Sequence, residues 1–494
     1  MICVSIGRGR HRQVVAEHNH LAEQGADLVE IRLDYIRREV NLQRLIHERP
    51  CPIIITCRRA QDGGKWQKTD AERLTLLRSA IAAGVDYVDL EDDIAAEIKR
   101  FGRTKRIVSL HDFEKTPDDL ESLHAKLSSL DADIVKIATM AHHPHDNLRM
   151  LRLVRQSEIP TVGICMGEIG TPSRILAVKF GSPFTFATFH QERTLAPGQL
   201  SFDQMRNVYR VHEIRDETEI YGVVADPVAQ SLSPIVHNSS FVDKGLNKVY
   251  VPFRVPAAAL DQFLSDCEEL GIKGLSVTIP HKEAIMQYCQ QVDGAAREIG
   301  AVNTVIFGDE GAVGYNTDYR ASMNSIDRRL QAGSRRTPLA GHTALVLGAG
   351  GAARAIAVGL ARRGADVVIA GRTLRRAEKL ARAIGCRSVP WEQRHNIKAE
   401  VLVNATPVGM HPNVDESPFD MHYLRPNAIV FDTVYNPEQT LLFKEAIQRN
   451  CRVISGLEMF IGQAALQFKH FTGLEAPEKL MREQFKRAIG AAKY

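Results

Sequence analysis

Over its first 200 residues or so the chain alternates short β-rich apolar runs with longer amphipathic stretches, a rhythm that repeats at the scale of one strand plus one helix. The apolar runs fall at residues 2–6, 28–33, 53–57, 87–90, 107–110, 134–137, 161–165 and 184–189, and amphipathic stretches such as 71–83 and 120–130 separate them. Strands that are apolar on both faces, each followed by a helix, form a parallel sheet. Eight such units in roughly 210 residues match a (β/α)8 barrel, with an open doubly wound sheet as the alternative.

Past the polar stretch 210–219 a fresh strand begins at 220–224, and short apolar strands then end in single polar groups. Farther on, strand 344–347, a glycine-rich turn, helix 353–363 and a second strand at 367–370 follow in order. Residues 328–338, basic and turn-prone, read as a surface loop before that strand, and 463–494 reads as helical, folding back onto the region after 219. No internal repeat or low-complexity segment interrupts the chain.

Composition narrows the classes. At 494 residues the chain is too long for one core and allows two to four domains. Charged residues make up 25% and the formal charge is +4, without long single-sign runs, so nothing points to nucleic acid. The eight cysteines form no C-x-x-C pair and have no histidines at zinc spacing, which reads as reduced cytoplasmic thiols and no metal. No apolar run reaches the roughly 18 residues of a membrane span. Met1 leads into strand 2–6 without a charged-then-apolar leader, so the expectation is a soluble protein starting at Met1.

Barrel chemistry belongs at the C-terminal ends of the strands. Glu30, Arg32, Asp34, Arg58, Glu91, His111, Asp112 and Arg174 fall there, and Lys136 lies amid Ile134, Val135, Ile137 and Ala138. An amine with little water around it is biased toward its neutral, nucleophilic form, which favours a Schiff base; a lysine that snorkels, or pairs with Glu30 or Glu91, is the other reading. Six motifs in order, Val29-Glu30-Ile31-Arg32-Leu33-Asp34, Thr56-Cys57-Arg58, Ser109-Leu110-His111-Asp112-Phe113, the Lys136 strand, Met166-Gly167 through Ser173-Arg174, and Ala196-Pro197-Gly198-Gln199, resemble the type I 3-dehydroquinate dehydratases. That resemblance implies an imine between Lys136 and the substrate ketone, His111 as base and then acid, Arg174 on the substrate carboxylate, and Glu30, Arg32, Arg58, Asp62 and Gln199 around the substrate. The chain departs from the family pattern at Asp62, where Glu is usual, and at Leu195, where Ser is usual.

In the second half, Ser231-Leu232-Ser233-Pro234 enters a helix, a seat for a carboxylate or simply a cap. Thr278, Lys282, Asn303 and Asp318 each follow a short strand. Gly348-x-Gly350-Gly351-Ala352-Ala353 has the strand before and the helix after that a dinucleotide site requires, and Arg372, Thr373, Arg375 and Arg376 stand where an NAD-preferring fold places an acid. Cations there favour a 2′-phosphate and hence NADP, as against an Arg-rich solvated helix start. With Val403-Asn404-Ala405-Thr406-Pro407-Val408-Gly409-Met410, Asp432-Thr433-Val434-Tyr435-Asn436-Pro437 and Ser455-Gly456 through Gln463, these motifs resemble shikimate dehydrogenase over 219–494. The resemblance implies that Ser231, Ser233, Thr278, Asn303, Tyr435 and Gln463 hold substrate, that Lys282 and Asp318 form the catalytic pair, and that Thr406 and Gly456 join the glycine turn around NADP(H). A departure is Tyr319-Arg320 after Asp318.

The two resemblances imply an α/β chain: a (β/α)8 barrel over 1–215, a substrate domain over 219–325 completed by 460–494, and a Rossmann-type NADP domain over 338–459. The expected function is dehydration of 3-dehydroquinate to 3-dehydroshikimate, then NADPH-dependent reduction to shikimate, on small-molecule substrates, with no nucleic acid and no membrane partner. A quinate/shikimate dehydrogenase using NAD and a non-catalytic ligand-sensing regulator on the same folds are the rivals. Lys136, His111, Lys282 and Asp318 argue against the regulator, and Arg372 and Arg376 against NAD.

Overall fold

A computed structural model describes residues 1–331 and 339–491. They pack as two compact units: Met1–Ile220 with Pro227–Ala229 and Asn247–Gly271, and Tyr221–Asp226 with Gln230–Leu246 and Ile272–Tyr494. Among the described residues no helix is long and apolar enough to cross a membrane.

The first unit carries strands β1 (Ile2–Ile6), β2 (Leu28–Arg32), β3 (Ile53–Thr56), β4 (Tyr87–Glu91), β5 (Lys105–Asp112), β6 (Ile134–Met140), β7 (Thr161–Met166) and β8 (Thr185–Thr188). Every ladder is parallel and the order is β7-β6-β5-β4-β3-β2-β1-β8, a nearly closed barrel with β7 and β8 at the two ends. Helices α1 (His11–Glu23), α2 (Leu42–Ile46), α3 (Asp70–Ala82), α4 (Leu120–Ser128), α5 (His145–Gln156) and α6 (Thr171–Leu176) connect most of the strands. The expected helix after every strand fails between β4 and β5. Residues 92–97 form consecutive turns there, from which Ile94 and Ala95 are buried, with Ile98 buried just after them.

Period two along the strands builds the barrel interior in layers. Cys3, Leu28, Ile54, Ile107, Ile134, Val162 and Phe184 share one apolar core. Two residues farther along their strands come Ser5, Glu30, Thr56, Ser109, Lys136, Ile164 and Phe186, joined by Asp89 of β4. Polar side chains thus enter only toward the C-terminal ends, over a floor that excludes water. The first unit also takes in β10 (Lys248–Arg254) and α8 (Leu260–Leu270). There α8 meets α5 through Arg152 and Glu269 at 2.6 Å and through His145 and Asp266 at 2.9 Å.

In the second unit β9 (Glu219–Ala225), β11 (Ile272–Val277), β12 (Gln291–Val292), β13 (Thr304–Gly308) and β14 (Gly311–Tyr315) run in the order β9-β11-β13-β14-β12, with α7 (Ser233–Asp243) and α9 (Gly294–Ile299). The helix α10 (Thr317–Gln331) leads to a parallel sheet of β15 (Thr343–Leu347), β16 (Asp366–Gly371), β17 (Arg387–Pro390), β18 (Val401–Asn404), β19 (Ile429–Asp432) and β20 (Arg452–Ile454). Its order, β17-β16-β15-β18-β19-β20, reverses at β15, the switch point beside which such sheets bind ligands. Helices α11 (Gly351–Arg362), α12 (Leu374–Ile384) and α13 (Leu441–Gln448) accompany it, and α14 (Gly456–Thr472) and α15 (Glu478–Ala491) complete the unit.

The expected loop at 328–338 is corrected in its first residues. α10 continues through Gln331 because Ile326 and Leu330, one turn apart, are buried in the same core as Val346, Ile356 and Leu360. Residues 332–338, and 492–494 of the expected final helix, lie outside the described residues.

Candidate active sites

In the barrel one tight cavity of about 50 Å³ is lined by Glu30, Arg32, Arg58, Asp62, His111, Lys136, Arg174 and Gln199; of the strand-end residues singled out from the sequence, Asp34, Glu91 and Asp112 do not line it. Phe186, Phe113 and Leu195 supply apolar wall.

Lys136 is buried, but its surroundings are not only apolar. Its Nζ lies 3.0 Å from Asp89 and 3.7 Å from Glu30, and 4.1 Å from the centre of the Phe186 ring. Asp89 was not among the expected residues. It also accepts from Ser109 Oγ at 2.6 Å and Arg58 Nη2 at 3.0 Å. Burial alone would raise the Asp89 pKa, but Arg58 and then Lys136 outweigh it and hold the carboxyl well below its ordinary range. Glu30 accepts from Ser5 Oγ at 2.6 Å and Thr56 Oγ1 at 2.8 Å; against the effect of burial, Lys136 and Arg32 keep it lowered too. Two ionised carboxylates therefore flank the amine.

The arginines divide by what already holds them. Arg32 is bound two-pronged by Asp34, at 2.9 and 2.8 Å, and Arg58 lies between Asp89 and Glu91, the latter at 3.4 Å. Arg174 is different. Its guanidinium is buried, donates to the Pro197 carbonyl at 3.1 Å, leaves Nε without a partner, and has its pKa pushed down to about 10 by burial. A cation so placed is ready for an anion.

His111 stacks near Phe113, ring centres 6.5 Å apart, and its buried Nδ1 has no partner. Burial, then the Arg58 and Lys136 charges, hold its pKa well below 6.5, leaving a neutral imidazole. Asp62 pairs with Arg59, which also reaches Asp93 at 2.7 Å. Next to Asp62, Glu91 is pushed up to about 8, by burial first and with a contribution from the Asp62 hydrogen bond, while Arg58 opposes the rise. Gln199 Oε1 accepts from the amides of Leu195, at 2.7 Å, and Ala196, at 3.2 Å, and so fixes the loop over the mouth. Leu195 presses on Gly7, where a β-carbon would lie 2.9 Å from its Cδ2. A hydroxyl at 195 is thus replaced by an apolar plug.

In the second unit Lys282 Nζ meets Asp318 Oδ2 at 2.5 Å. Asn303, buried, presents that aspartate by clamping the start of α10: its Oδ1 accepts from the Thr317 amide at 2.8 Å and its Nδ2 donates to Thr317 Oγ1 at 2.9 Å. Gln467, absent from the expectations, holds Asn303 in turn, donating to its carbonyl at 3.0 Å while accepting from Ser276 Oγ at 2.8 Å. Its spacing of one helical turn from Gln463 was the available signal. Ser231 and Ser233 adjoin at the start of α7, the Ser233 amide 3.4 Å from Ser231 Oγ, and Thr278 follows β11. Tyr435 packs on Phe460 and Phe485, ring centres 4.8 and 5.7 Å away, and Gln463 donates to the Phe460 carbonyl at 3.1 Å.

The glycine turn fits a dinucleotide. Gly348 has φ +115°, a region that favours glycine, and Gly350 caps α11. A β-carbon on Gly351 would lie 2.7 Å from Lys282 Cδ, so the lysine stem lies against the first turn of α11, which also holds Ala352. Arg372, Thr373 and Arg376 are exposed where α12 begins, just past the end of β16. Thr406 donates through Oγ1 to Asn404 Oδ1 at 2.6 Å, and Gly456 lies against the loop after β19, where a β-carbon would be 2.3 Å from the Val434 carbonyl. The open helix N-terminus and the exposed arginines suit a pyrophosphate and a 2′-phosphate.

The chain matches the family described as type I 3-dehydroquinase over residues 2–216 and the shikimate dehydrogenase substrate binding domain over 223–305. It matches a coenzyme F420-dependent NADP oxidoreductase family over 343–435 and the shikimate 5′-dehydrogenase C-terminal domain over 456–484. It is 40% identical to the bifunctional 3-dehydroquinate dehydratase/shikimate dehydrogenase, chloroplastic, of Arabidopsis thaliana, over 97% of this chain and 83% of that protein. It is 44% identical to the NADP(+) shikimate dehydrogenase of Methanopyrus kandleri, over 54% of this chain and 94% of that one. A crystal structure of a shikimate dehydrogenase in complex with NADP+ covers 56% of this chain and 97% of its own, at 37% identity and a TM-score of 0.52.

Proposed function

The chain belongs to the bifunctional 3-dehydroquinate dehydratase/shikimate dehydrogenase family, and from that premise we propose how its residues divide the two reactions. The enzyme is a lyase and an NADP-dependent oxidoreductase of the shikimate pathway. What supports the assignment of roles is the gathering of Lys136, His111 and Arg174 at one cavity and of Lys282 and Asp318 at the glycine turn.

In the barrel, Arg174 takes the carboxylate of 3-dehydroquinate. Lys136 Nζ adds to the C3 ketone; two protons from that nitrogen leave with the carbonyl oxygen as water and one stays, so the product is the iminium. The iminium withdraws electrons from C2, so the neutral imidazole of His111 takes the C2 proton. It then returns the proton to the departing hydroxyl, which leaves as a second water. Hydrolysis of the imine consumes one water, frees Lys136 and releases 3-dehydroshikimate. Asp89 and Glu30 hold the amine and then the iminium, so the cation keeps its counter-charges throughout. Glu30, Arg32, Arg58, Asp62 and Gln199 border the substrate or the loop above it.

In the second unit Ser231, Ser233, Thr278, Asn303, Tyr435 and Gln463 hold 3-dehydroshikimate. Gly348, Gly350, Gly351, Ala352, Thr406 and Gly456 hold the cofactor, with Arg372, Thr373 and Arg376 at its 2′-phosphate. NADPH, when bound, supplies hydride. Lys282, oriented by Asp318, gives a proton to the alkoxide oxygen of the product. Barrel residues 1–215, a substrate region over 219–325 completed by 460–494, and a cofactor region over 338–459 are the divisions that go with these roles. The reactants are small molecules of the cytoplasm.

The test is one cuvette of 3-dehydroquinate with NADPH. Loss of reduced-cofactor absorbance requires both steps; Lys136→Ala stops it from 3-dehydroquinate and leaves it intact from 3-dehydroshikimate. Loss from both substrates in that variant contradicts the division of roles.

A further inference from the structure

Asp432, at the C-terminal end of β19, is 1% exposed and none of the roles above uses it. Three donors from three places along the chain converge on its carboxylate. Asn404 Nδ2, at the end of the neighbouring strand β18, reaches Oδ1 at 3.0 Å; the Val434 amide reaches Oδ1 at 3.0 Å; and Thr440 Oγ1, which caps α13, reaches Oδ2 at 2.6 Å. Burial pushes the carboxyl up to about 6, with Thr440, Val434 and Asn404 pulling the other way. A buried carboxylate is costly unless its oxygens are used, and these are.

Two of the donors, Asn404 and Val434, lead on to residues assigned to the reductase cleft. Asn404, held by Asp432, accepts through Oδ1 from both the amide and the hydroxyl of Thr406, at 3.0 and 2.6 Å, and Thr406 Cγ2 in turn lies 3.4 Å from where a Gly348 β-carbon would be. Val434, on the other side, begins the loop carrying Tyr435. The Thr433 and Val434 carbonyls press on Gly456, 2.6 and 2.3 Å from where its β-carbon would sit, at the start of the helix that carries Gln463.

We propose that Asp432 is a positioning residue that sets the cofactor loop at Thr406 and the substrate loop at Tyr435 from a single carboxylate, so that affinity for NADPH and for 3-dehydroshikimate depends on it jointly. This rests on the reading of the cleft as the reductase site. Neither ligand is touched by Asp432; it acts through Asn404 on one side and Val434 on the other.

The experiment measures reductase kcat and both KM values in the full-length wild type, Asp432→Ala, Asp432→Asn and Thr440→Val, with NADPH fluorescence counting intact sites. Asp432→Ala is expected to raise both KM values roughly tenfold, the size of one or two lost hydrogen bonds. Asp432→Asn is expected to stay within about twofold, because its carbonyl still accepts from Asn404 and Val434 and its amide can donate to the Thr440 hydroxyl. Thr440→Val, which removes one bond, is expected to raise both KM values about threefold and keeps the test open should the alanine variant not fold. A merely structural role lowers kcat with the count of intact sites and leaves both KM values where they were; that result, a rise in one KM alone, or failure of Asn to rescue overturns the proposal. Wild type that consumes no NADPH with 3-dehydroshikimate instead sinks the underlying reading and is told apart by that control.

Discussion

Each half of the molecule pairs a lysine with an aspartate, and the two pairs are built for opposite purposes. Lys136 and Asp89 lie in a dry layer of the barrel, tied into Arg58, Glu30 and Ser109, where nearly every charge is buried. Lys282 and Asp318 stand as a simpler pair against a bare glycine turn, with the lysine partly exposed. On the proposed roles, a lysine that becomes covalently bound needs a countercharge at every stage of its reaction, whereas one that only passes a proton needs to be aimed. Burial follows chemistry.

The same substitution at both aspartates exposes the difference. Asp89→Asn removes the carboxylate that both Arg58 and Lys136 rely on, and breaking such a buried pair costs about 3–5 kcal/mol. Thermal unfolding of the barrel is expected to move down sharply and dehydratase activity to fall with it, with reductase retained. Asp318→Asn is expected to leave barrel unfolding where it was and to reduce only reductase turnover, by about 10²-fold. Equal losses of stability at both positions would erase the contrast.

Much of the frame was legible in the sequence. Runs of Ile, Val and Leu fixed the barrel strands to within a few residues, and the polar residues at their ends were readable because strand ends are where a barrel admits polarity. Asp89 was missed because it lies within β4 rather than at its end. Its signal is the Asp89-Leu90-Glu91 spacing, which puts two carboxylates on one face of an otherwise apolar strand. The lysine's surroundings were legible in part: its sequence neighbours are apolar, pairing with Glu30 of β2 stood as the other reading, and Asp89 of β4 was not foreseen. Gln467 and Asp432 act through neighbouring groups rather than on a ligand, so their only local signals are a spacing of one helical turn from Gln463 and a place at the start of the Tyr435 motif. The end of α10 was hidden by Arg328 and Arg329, whose charge outweighed the buried Ile326 and Leu330 beside them.

A smaller effect tests the cofactor side. Arg372→Ala is expected to raise the KM for NADP(H) about tenfold and to leave that for NAD(H) nearly unchanged, since only the former has a phosphate to lose. Parallel rises would place the arginine elsewhere than at the 2′-phosphate.

Smaller still is a displacement in pH. In the proposed mechanism His111 is a base when neutral, and its lowered pKa keeps it neutral as pH falls past 6.5. The acid limb of dehydratase kcat/KM therefore lies below pH 6.5, and the reductase need not share it; a midpoint at or above 6.5 would mean that His111 is not the titrating base.

The central claim is tested most directly by borohydride reduction in the presence of 3-dehydroquinate, followed by peptide mass analysis. The expected result is a substrate-derived mass on the peptide holding Lys136, and none on the peptide holding Lys282. An unmodified Lys136 peptide in protein that still forms 3-dehydroshikimate would contradict the account.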